Sequence, residues 1–394
     1  MNKQSSRRCF LAAGLAAPSA LATTQAVQKP TPSAALTLAP KDSVKLEFRT
    51  LGKTGLKVTG VGFGTMITSD GTVIERAADI GINYFDTARG YQEGNCEKMV
   101  GAALKGKRQN LVLSTKSHTR SKDGALADLD KSLQELGTDY VDIWYMHGIG
   151  KPEEVNDGVL EAVDLAKKSG KARFTGVSTH AGHEKVIPFV AANRKHFDVL
   201  LASYNFAMDP AVGELLGNAQ QAGLGVVAMK VMAGGSRRLN RPDADPKTKA
   251  ILAREGAMLV ALKWVLNNRS VHTTVPSITD MDQLDDNLKA MALPFSQTDQ
   301  KLLDARLEEL RPWYCRMCGK CEGGCAKGLP VEDMLRYVMY AETYGQFSLG
   351  REQFKLLPAE TAAVRCSDCT GCTVQCPYGV RVAERLSLCQ ECLA

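Results

Sequence analysis

Short apolar runs alternate with longer amphipathic stretches along most of the chain. Before them, residues 46–60 carry two short alternating runs that meet at Lys53-Thr54-Gly55, the pattern of a hairpin. Eight of the later runs have the length and composition of β-strands. They lie at 61–65, 82–87, 110–116, 140–147, 172–178, 198–205, 225–230 and 272–276.

The stretches between these strands have helical periodicity. In GALADLDKSLQELG (124–137), leucines recur at 126, 129, 133 and 136, and a glycine closes the run, which predicts a crossover helix. Eight strand-helix units in roughly 250 residues match the size and order of a (β/α)8 TIM barrel, whereas a doubly wound sheet normally uses fewer. We therefore predict an α/β fold with a (β/α)8 barrel over residues 45–305. Chemistry in such a barrel lies at the carboxyl ends of the strands.

Four polar residues fall at or just after predicted strand ends. They are Asp86, Tyr91, Lys116 and His147. Each alone has a structural explanation. Asp86 could cap a turn and Tyr91 could be a surface ring, while Lys116 could form an ion pair on the rim of the barrel and His147 could be a hydrogen-bonded histidine there. Together they suit proton donation to a carbonyl, because an ammonium lowers the pKa of a nearby tyrosine from its usual value of about 10. Lys116 would supply that charge, Asp86 would hold the lysine, and a neutral His147 would orient the carbonyl oxygen toward Tyr91.

These residues lie in motifs that resemble the aldo-keto reductase family over about residues 46–300. The motifs are LGKTGLKVTGVGFGTM (51–66), DTARGYQEGNCEKMVG (86–101), STK (114–116), DYVDIWYMH (139–147) and GVSTH (176–180). The resemblance implies that Asp86, Tyr91, Lys116 and His147 form a catalytic tetrad. It also implies an NAD(P)-dependent oxidoreductase, with NADPH or NADH across the barrel mouth and a small carbonyl substrate.

The same resemblance implies a set of cofactor-binding positions. They are Gly64, Thr65, Met66, Ser178, Thr179, Ala233, Gly234, Gly235, Ser277, Gln283 and Asn287. Two departures stand out: Leu201 replaces a glutamine of the sixth strand, and Ser277 and Gln283 replace basic residues that grip the adenosine phosphate. Each lost charge-assisted bond is worth about 1.5–3 kcal/mol, so a strong NADP preference is not expected. Arg237, Arg238 and Arg241 either compensate or belong to a solvated loop.

The net charge gives no indication of a nucleic-acid partner. The net charge of +6 falls to +3 without Lys3, Arg7 and Arg8, too little to predict a nucleic-acid partner.

Residues 1–22 have a basic start, a short apolar run and small-residue cleavage sites, which predicts a signal peptide, and the run is too short to span a membrane. Arg7-Arg8 followed by Phe10-Leu11 resembles a twin-arginine signal, which predicts export to the periplasm through that machinery; the alternative is a disordered basic tail. Residues 23–44, rich in Ala, Pro and Thr, predict a disordered linker.

Ten of the twelve cysteines follow residue 314. They therefore serve one region and do not cross-link the whole chain. Two frames of C-x2-C-x2-C-x3-C type carry eight of them: Cys315, Cys318, Cys321 and Cys325, then Cys366, Cys369, Cys372 and Cys376. The spacing favours two [4Fe-4S] clusters in a ferredoxin-type domain over residues 306–394. Zinc explains the third cysteine of each frame poorly, and disulfides between cysteines this close are awkward.

Resemblance to two-cluster ferredoxins implies that the frames exchange their fourth ligands. Cys376 would then complete the cluster of Cys315, Cys318 and Cys321, and Cys325 would complete that of Cys366, Cys369 and Cys372. Pro377 fits that pattern, but Ala326 stands where a proline is usual, and the segment between the frames is long. Each frame keeping its own fourth ligand is the alternative.

The predicted barrel and the predicted cluster domain would transfer different numbers of electrons. Hydride transfer moves two electrons, a cluster accepts one, and no motif for a flavin is present to link them. Three hypotheses follow: a carbonyl reductase with an iron-sulfur module, an exported electron-transfer or redox-sensing protein with a redox partner, and a binding protein with an empty pocket. The substrate is not named by the sequence, because the loops that select it vary freely on this fold.

Overall fold

The computed structural model describes residues 46–234 and 256–394, and it opens with the predicted hairpin. Strands β1 (Phe48–Thr50) and β2 (Lys57–Thr59) pair antiparallel, with Phe48 opposite Thr59. The predicted signal peptide (1–22) and linker (23–44) lie outside the described residues. No helix of the described ranges is both long enough and apolar enough to cross a membrane.

All eight predicted strands are confirmed, and they form one parallel sheet in chain order. They are β3 (Phe63–Gly64), β4 (Tyr84–Asp86), β5 (Val112–Ser117), β6 (Val141–Met146), β7 (Ala172–Thr179), β8 (Val199–Ser203), β9 (Gly225–Met229) and β10 (Thr273–Thr274). The sheet closes on itself, because the Gly62 and Gly64 amides donate to the carbonyl oxygens of Thr274 and Pro276 at 2.8 Å. The fold is therefore the predicted (β/α)8 barrel.

Helices connect the strands and surround them. They are α1 (Gly71–Ile80), α2 (Asn95–Ala103), α3 (Lys122–Leu136), α4 (Asp157–Lys168), α5 (His183–Ala192), α6 (Ala211–Gln221), α7 (Ala257–Asn267), α8 (Met281–Ala292) and α9 (Gln297–Leu310). The predicted crossover helix is α3, and Gly137 ends it in the left-handed region at φ +64°. The predicted domain boundary at residue 305 falls inside α9.

The core has two layers, as strands buried on both faces require. Inside the barrel, Tyr84, Tyr145 and Leu201 pack with aliphatic side chains of neighbouring strands. Outside the barrel, Trp144 and the buried faces of the helices form the larger cluster. The strand ends are thus held rigidly, which is what a site built on them needs.

The cysteine-bearing region is helical and lies on the carboxyl end of the barrel. It contains α10 (Val331–Glu342), α11 (Phe347–Lys355), α12 (Ala359–Ala363) and α13 (Val382–Leu393). Two hydrogen bonds join it to the loop after β8: Asn205 Nδ2 donates to the Tyr314 hydroxyl at 3.0 Å, and the Tyr378 hydroxyl donates to Asp209 Oδ2 at 2.6 Å. This region therefore covers part of the barrel mouth.

Candidate active site and cluster sites

The structure brings the four predicted catalytic residues together at the carboxyl ends of β4, β5 and β6. Lys116 Nζ donates to Asp86 Oδ2 at 2.5 Å and to the Thr87 carbonyl oxygen at 2.7 Å. Ser114 Oγ donates to the other Asp86 oxygen at 2.7 Å. Because the Asp86 and Lys116 side chains are only 5% and 1% exposed, this ion pair is fixed inside the protein.

Tyr91 lies above this pair. The Lys116 ammonium is 5.0 Å from the centre of the Tyr91 ring, and the His147 ring meets Tyr91 edge-on with 5.7 Å between ring centres. The loop of Tyr91 is anchored by an ion pair between Arg89 and Glu97 at 2.6 Å. The tyrosine is therefore held within reach of both the lysine and the histidine.

The protonation states favour a neutral histidine and a protonated phenol. Burial lowers the pKa of His147 well below its usual value, and the charge of Lys116 acts in the same direction, so the neutral form predicted for His147 is favoured. Burial and the Asp86 charge raise the pKa of Tyr91 well above its usual value. This is opposite to the predicted lowering, because removal from water has the largest effect and the charge of Asp86 adds to it.

Three further histidines differ in their roles. His118 stacks on His147 with 3.8 Å between ring centres, and His180 lines the cavity described next. His183 is buried on α5, with Nε2 3.1 Å from Ser203 Oγ. Among the described residues, Nδ1 of His147 is buried without a hydrogen-bond partner.

A cavity of about 430 Å³ opens beside Tyr91, large enough for a cofactor or a substrate. It contains Asp86 and Tyr91 together with seven predicted cofactor positions: Gly64, Thr65, Met66, Gly234, Ser277, Gln283 and Asn287. The structure therefore joins Asp86 and Tyr91 of the tetrad and the predicted adenosine end in one continuous space. That continuity fits an extended nicotinamide dinucleotide.

Other predicted cofactor positions do not line this cavity. Ser178 Oγ accepts from the Gly148 amide at 2.8 Å, Thr179 Oγ1 donates to the Ala181 carbonyl at 2.7 Å, and Ala233 is buried. Leu201 lies inside the barrel. Gly235, Arg237, Arg238 and Arg241 lie outside the described residues.

At the far end of the cavity, Gln283 is occupied with its own helix. Its Nε2 donates to Thr279 Oγ1 at 2.8 Å and to Asp280 Oδ2 at 2.7 Å, at the start of α8. Asn287 is buried one turn further on. No lysine or arginine is among the described residues that line this end, beside Ser277 and Gln283.

Three polar residues are among those of the cavity that sequence reasoning missed. Lys230 follows β9, and Thr343 and Tyr344 follow α10 of the cysteine-bearing region. Lys230 could have been found, because it closes the seventh predicted strand in the same way as Lys116 closes the third. Thr343 and Tyr344 gave no signal, because they lie in the cysteine-bearing region, which no pattern in the sequence connects with the barrel mouth.

The cysteines form two groups that mix the frames. Cys315, Cys318, Cys321 and Cys376 line one small cavity, with Pro377 and Tyr378 beside them. We call this the inner cysteine site, since Cys315 is buried next to Tyr314, whose hydroxyl contacts the barrel. The structure thus places Cys376 of the second frame beside three cysteines of the first.

The other four cysteines of the two frames form the outer cysteine site: Cys325, Cys366, Cys369 and Cys372. Thr373, next to Cys372, donates to the Gly324 carbonyl at 2.8 Å and accepts from the Ala326 amide at 3.2 Å, which brings Cys325 toward the second frame. The pKa of Cys366 is raised by burial and then by the charges of Cys325, Cys369 and Cys372, so these thiols are neighbours. Cys369 and Cys372 are exposed.

The cysteines of the inner cysteine site surround a small cavity. Within the described ranges, no three His, Cys, Asp or Glu side chains lie close enough to hold a single metal ion. Cubic clusters bound by four thiolates agree with cysteines that surround a cavity. Cys389, outside both sites, is buried, and burial raises its pKa to about 12.

Comparisons with known proteins agree with this division. Residues 62–308 match the aldo/keto reductase family, and residues 314–381 match a 4Fe-4S dicluster domain. Similar proteins include L-galactose dehydrogenase of Arabidopsis thaliana, 28% identical over 68% of this chain and 96% of that protein. L-glyceraldehyde 3-phosphate reductase of Escherichia coli K12 is 26% identical over 68% of this chain and 96% of its own.

Solved structures match the barrel in the same way. The holo form of the aldo-keto reductase AKR11C1 from Bacillus halodurans is 26% identical, with a TM-score of 0.56, over 67% of this chain and 96% of its own. The matched family covers more than half of the chain and includes the whole tetrad. This protein therefore belongs to the aldo/keto reductase family and carries a 4Fe-4S dicluster domain after its barrel.

Proposed function

We propose that this protein reduces small carbonyl compounds, or oxidises the matching alcohols, with a nicotinamide cofactor. The observation that supports this most is the arrangement at the barrel mouth: Tyr91 over the buried Asp86–Lys116 pair, with His147 at its edge. All four lie where a barrel enzyme places its chemistry.

Tyr91 acts as the general acid in this proposal. Its phenol gives a proton to the carbonyl oxygen, and the Lys116 ammonium stabilises the phenolate that remains. Burial lowers the pKa of Lys116, and Asp86 counteracts that effect in part while it orients the ammonium. Neutral His147 donates a hydrogen bond that orients the carbonyl oxygen.

The nicotinamide, when bound, supplies the hydride that reaches the carbonyl carbon. Gly64, Thr65 and Met66 would lie along it, and Ser277, Gln283 and Asn287 would meet the adenosine half. Because that end offers no cation from the described residues, we propose that the protein does not discriminate strongly in favour of NADPH over NADH.

Replacing Tyr91 with phenylalanine tests this proposal. We expect turnover of a carbonyl panel to fall by about 10²- to 10⁴-fold, because the proton donor is lost while the ring remains. Cofactor affinity, measured by fluorescence titration of NADH and NADPH, should stay the same. Turnover that survives in Tyr91→Phe would contradict the assigned role.

The matched control is Tyr140→Phe. Tyr140 precedes β6, at the opposite end of the barrel, with Arg108 4.0 Å above its ring. This variant should keep full activity. If the wild-type holoprotein binds neither cofactor and reduces nothing, the reductase proposal fails altogether.

A second candidate function is electron exchange with a partner protein. It is favoured by the exposure of Cys369 and Cys372, which would leave a cluster in the outer cysteine site close to solvent. Clusters supply one-electron transfer when bound. A reduced holoprotein that gives no low-temperature EPR signal would rule this function out.

Export through the twin-arginine machinery also stays a proposal, carried by Arg7, Arg8 and the apolar run after them. That route accepts folded proteins with their cofactors inserted. The exported form, purified anaerobically, should contain iron, sulfide and retained nicotinamide. A protein found only in the cytoplasm would contradict this localisation.

A further inference from the structure

Lys230 brings a second ammonium group into the active-site cavity. The residue directly follows β9, and its backbone adopts a φ of +58°, in the region that side chains other than glycine rarely occupy. Its side chain lines the cavity that also contains Asp86 and Tyr91. The fold thus keeps a lysine at this place despite an unfavourable backbone conformation.

The contacts of Lys230 are aromatic. Its Nζ is 4.4 Å from the centre of the Tyr344 ring and 5.4 Å from that of Tyr340, and Met66 Sδ lies at 3.9 Å. Both tyrosines belong to the cysteine-bearing region. Tyr344 is fixed in turn by Tyr314, since their hydroxyl oxygens are 3.0 Å apart. The second domain therefore holds the lysine by cation–π contacts.

Within the described residues, no carboxylate forms an ion pair with Lys230. Among the ion pairs of residues 46–234 and 256–394, none includes it, and Asp86 at the same end of the cavity is already bound to Lys116. The other polar side chains that line the small cavity beside it are those of His180, Ser203, Tyr314, Arg336, Tyr340 and Tyr344, and none of these is a carboxylate. This part of the cavity has an excess of positive charge.

The ammonium lies toward the tetrad. Lys230 lines the same cavity as Asp86 and Tyr91. Removal from water and, after it, the charge of Lys116 together lower the pKa of Lys230 to about 8. The far end of the cavity is lined by Ser277, Gln283 and Asn287 instead. An anion beside Lys230 would therefore lie near the atoms that react.

We propose that Lys230 binds a carboxylate of the substrate, so that the preferred substrates are small oxo acids. This inference rests on the proposed carbonyl reduction. A carboxylate meets the unpaired ammonium, while the carbonyl of the same molecule reaches Tyr91 and His147. The cysteine-bearing region contributes to specificity because Tyr340 and Tyr344 position the lysine.

The test compares acids with their esters. A panel of 2-, 3- and 4-oxo acids of three to six carbons, each with its methyl ester, is assayed with wild type, Lys230→Met and Lys230→Arg. We expect wild type to favour acids by kcat/KM, and Lys230→Met to lose about 10- to 100-fold on acids only. Lys230→Arg should keep most of the preference. Lys131→Met, a surface variant on α3, is the control and should change nothing.

Three results would overturn the inference. In the first, wild type has the higher kcat/KM on the esters throughout the panel. In the second, Lys230→Met loses kcat/KM equally on acids and on esters. In the third, the loss in Lys230→Met is accounted for by weaker NADH binding in fluorescence titration. The last would assign Lys230 to the cofactor diphosphate. If wild type binds NADH but reduces neither acids nor esters, the proposed function itself is wrong, a result distinct from these three.

Discussion

At the residue scale, Lys116 and Lys230 show how the surroundings of a lysine decide its role. Lys116 is bound to Asp86 at 2.5 Å and to a backbone carbonyl, so its charge is already compensated. Lys230 contacts two aromatic rings and a thioether sulfur. The first lysine can serve the tyrosine, while the second remains available to a ligand.

The lowered pKa of Lys230 predicts a pH dependence. Because the pKa is lowered to about 8, the ammonium is present at pH 7 and is lost as the pH rises through 8. We therefore expect kcat/KM for an oxo acid to decline above about pH 8, while that for its methyl ester does not follow this titration. Rate profiles from pH 6 to 10 measure both.

Lys230→Arg provides the control for this profile. An arginine keeps its charge over the whole range, so the decline for the acid near pH 8 should disappear. The same decline in acid, ester and Lys230→Arg would point to another titrating group.

At the element scale, the barrel depends on close approach between neighbouring strands. In β7, a Cβ at Gly176 would lie 2.3 Å from the Val199 carbonyl oxygen of β8 and 2.7 Å from the Tyr145 ring of β6. Both neighbours are themselves buried in the barrel, so neither can move aside cheaply. The glycine is thus needed for space, not for its backbone freedom.

Gly176→Ala should consequently destabilise the barrel. We expect a cost of about 1–3 kcal/mol from overpacking, seen as a lower midpoint in thermal unfolding followed by circular dichroism. Gly217→Ala is the matched control. Gly217 lies within helix α6, and a Cβ there would meet only Ser270 Oγ, at 3.7 Å. That variant should unfold at the same temperature or higher.

At the scale of the whole molecule, the two domains share one functional surface. Helix α10 buries Val331, Met334, Leu335 and Val338 on one face. The residues that follow it, Thr343 and Tyr344, form part of the cavity wall. The cysteine-bearing region is therefore a structural component of the barrel mouth as well as a cluster carrier.

The mixed cysteine sites predict the iron content of double variants. In Cys318→Ala/Cys376→Ala both changes fall in the inner cysteine site, so about half of the wild-type iron and sulfide should remain. In Cys318→Ala/Cys325→Ala both sites lose a ligand, so nearly all iron should be lost. Frames that each kept their own fourth ligand would give the reverse order.

Much of this arrangement could be predicted from local patterns. Each strand of the barrel is an apolar run bounded by turn residues, and Asp86, Lys116 and His147 stand at strand ends whose direction the fold fixes. The pKa of Tyr91 could not be predicted in the same way. It depends on how much water the assembled loops exclude, and burial raised it where a neighbouring charge alone would have lowered it.

The sequence by itself determined the barrel, the tetrad positions and the two cysteine frames, because these are set by periodicity and spacing within short segments. Only the tertiary structure decided which cysteines face each other, since Cys376 lies far along the chain from Cys318 yet lines the same cavity. It alone also placed Tyr344 against Lys230. Contacts between distant segments depend on how finished elements pack, and no local pattern encodes that packing.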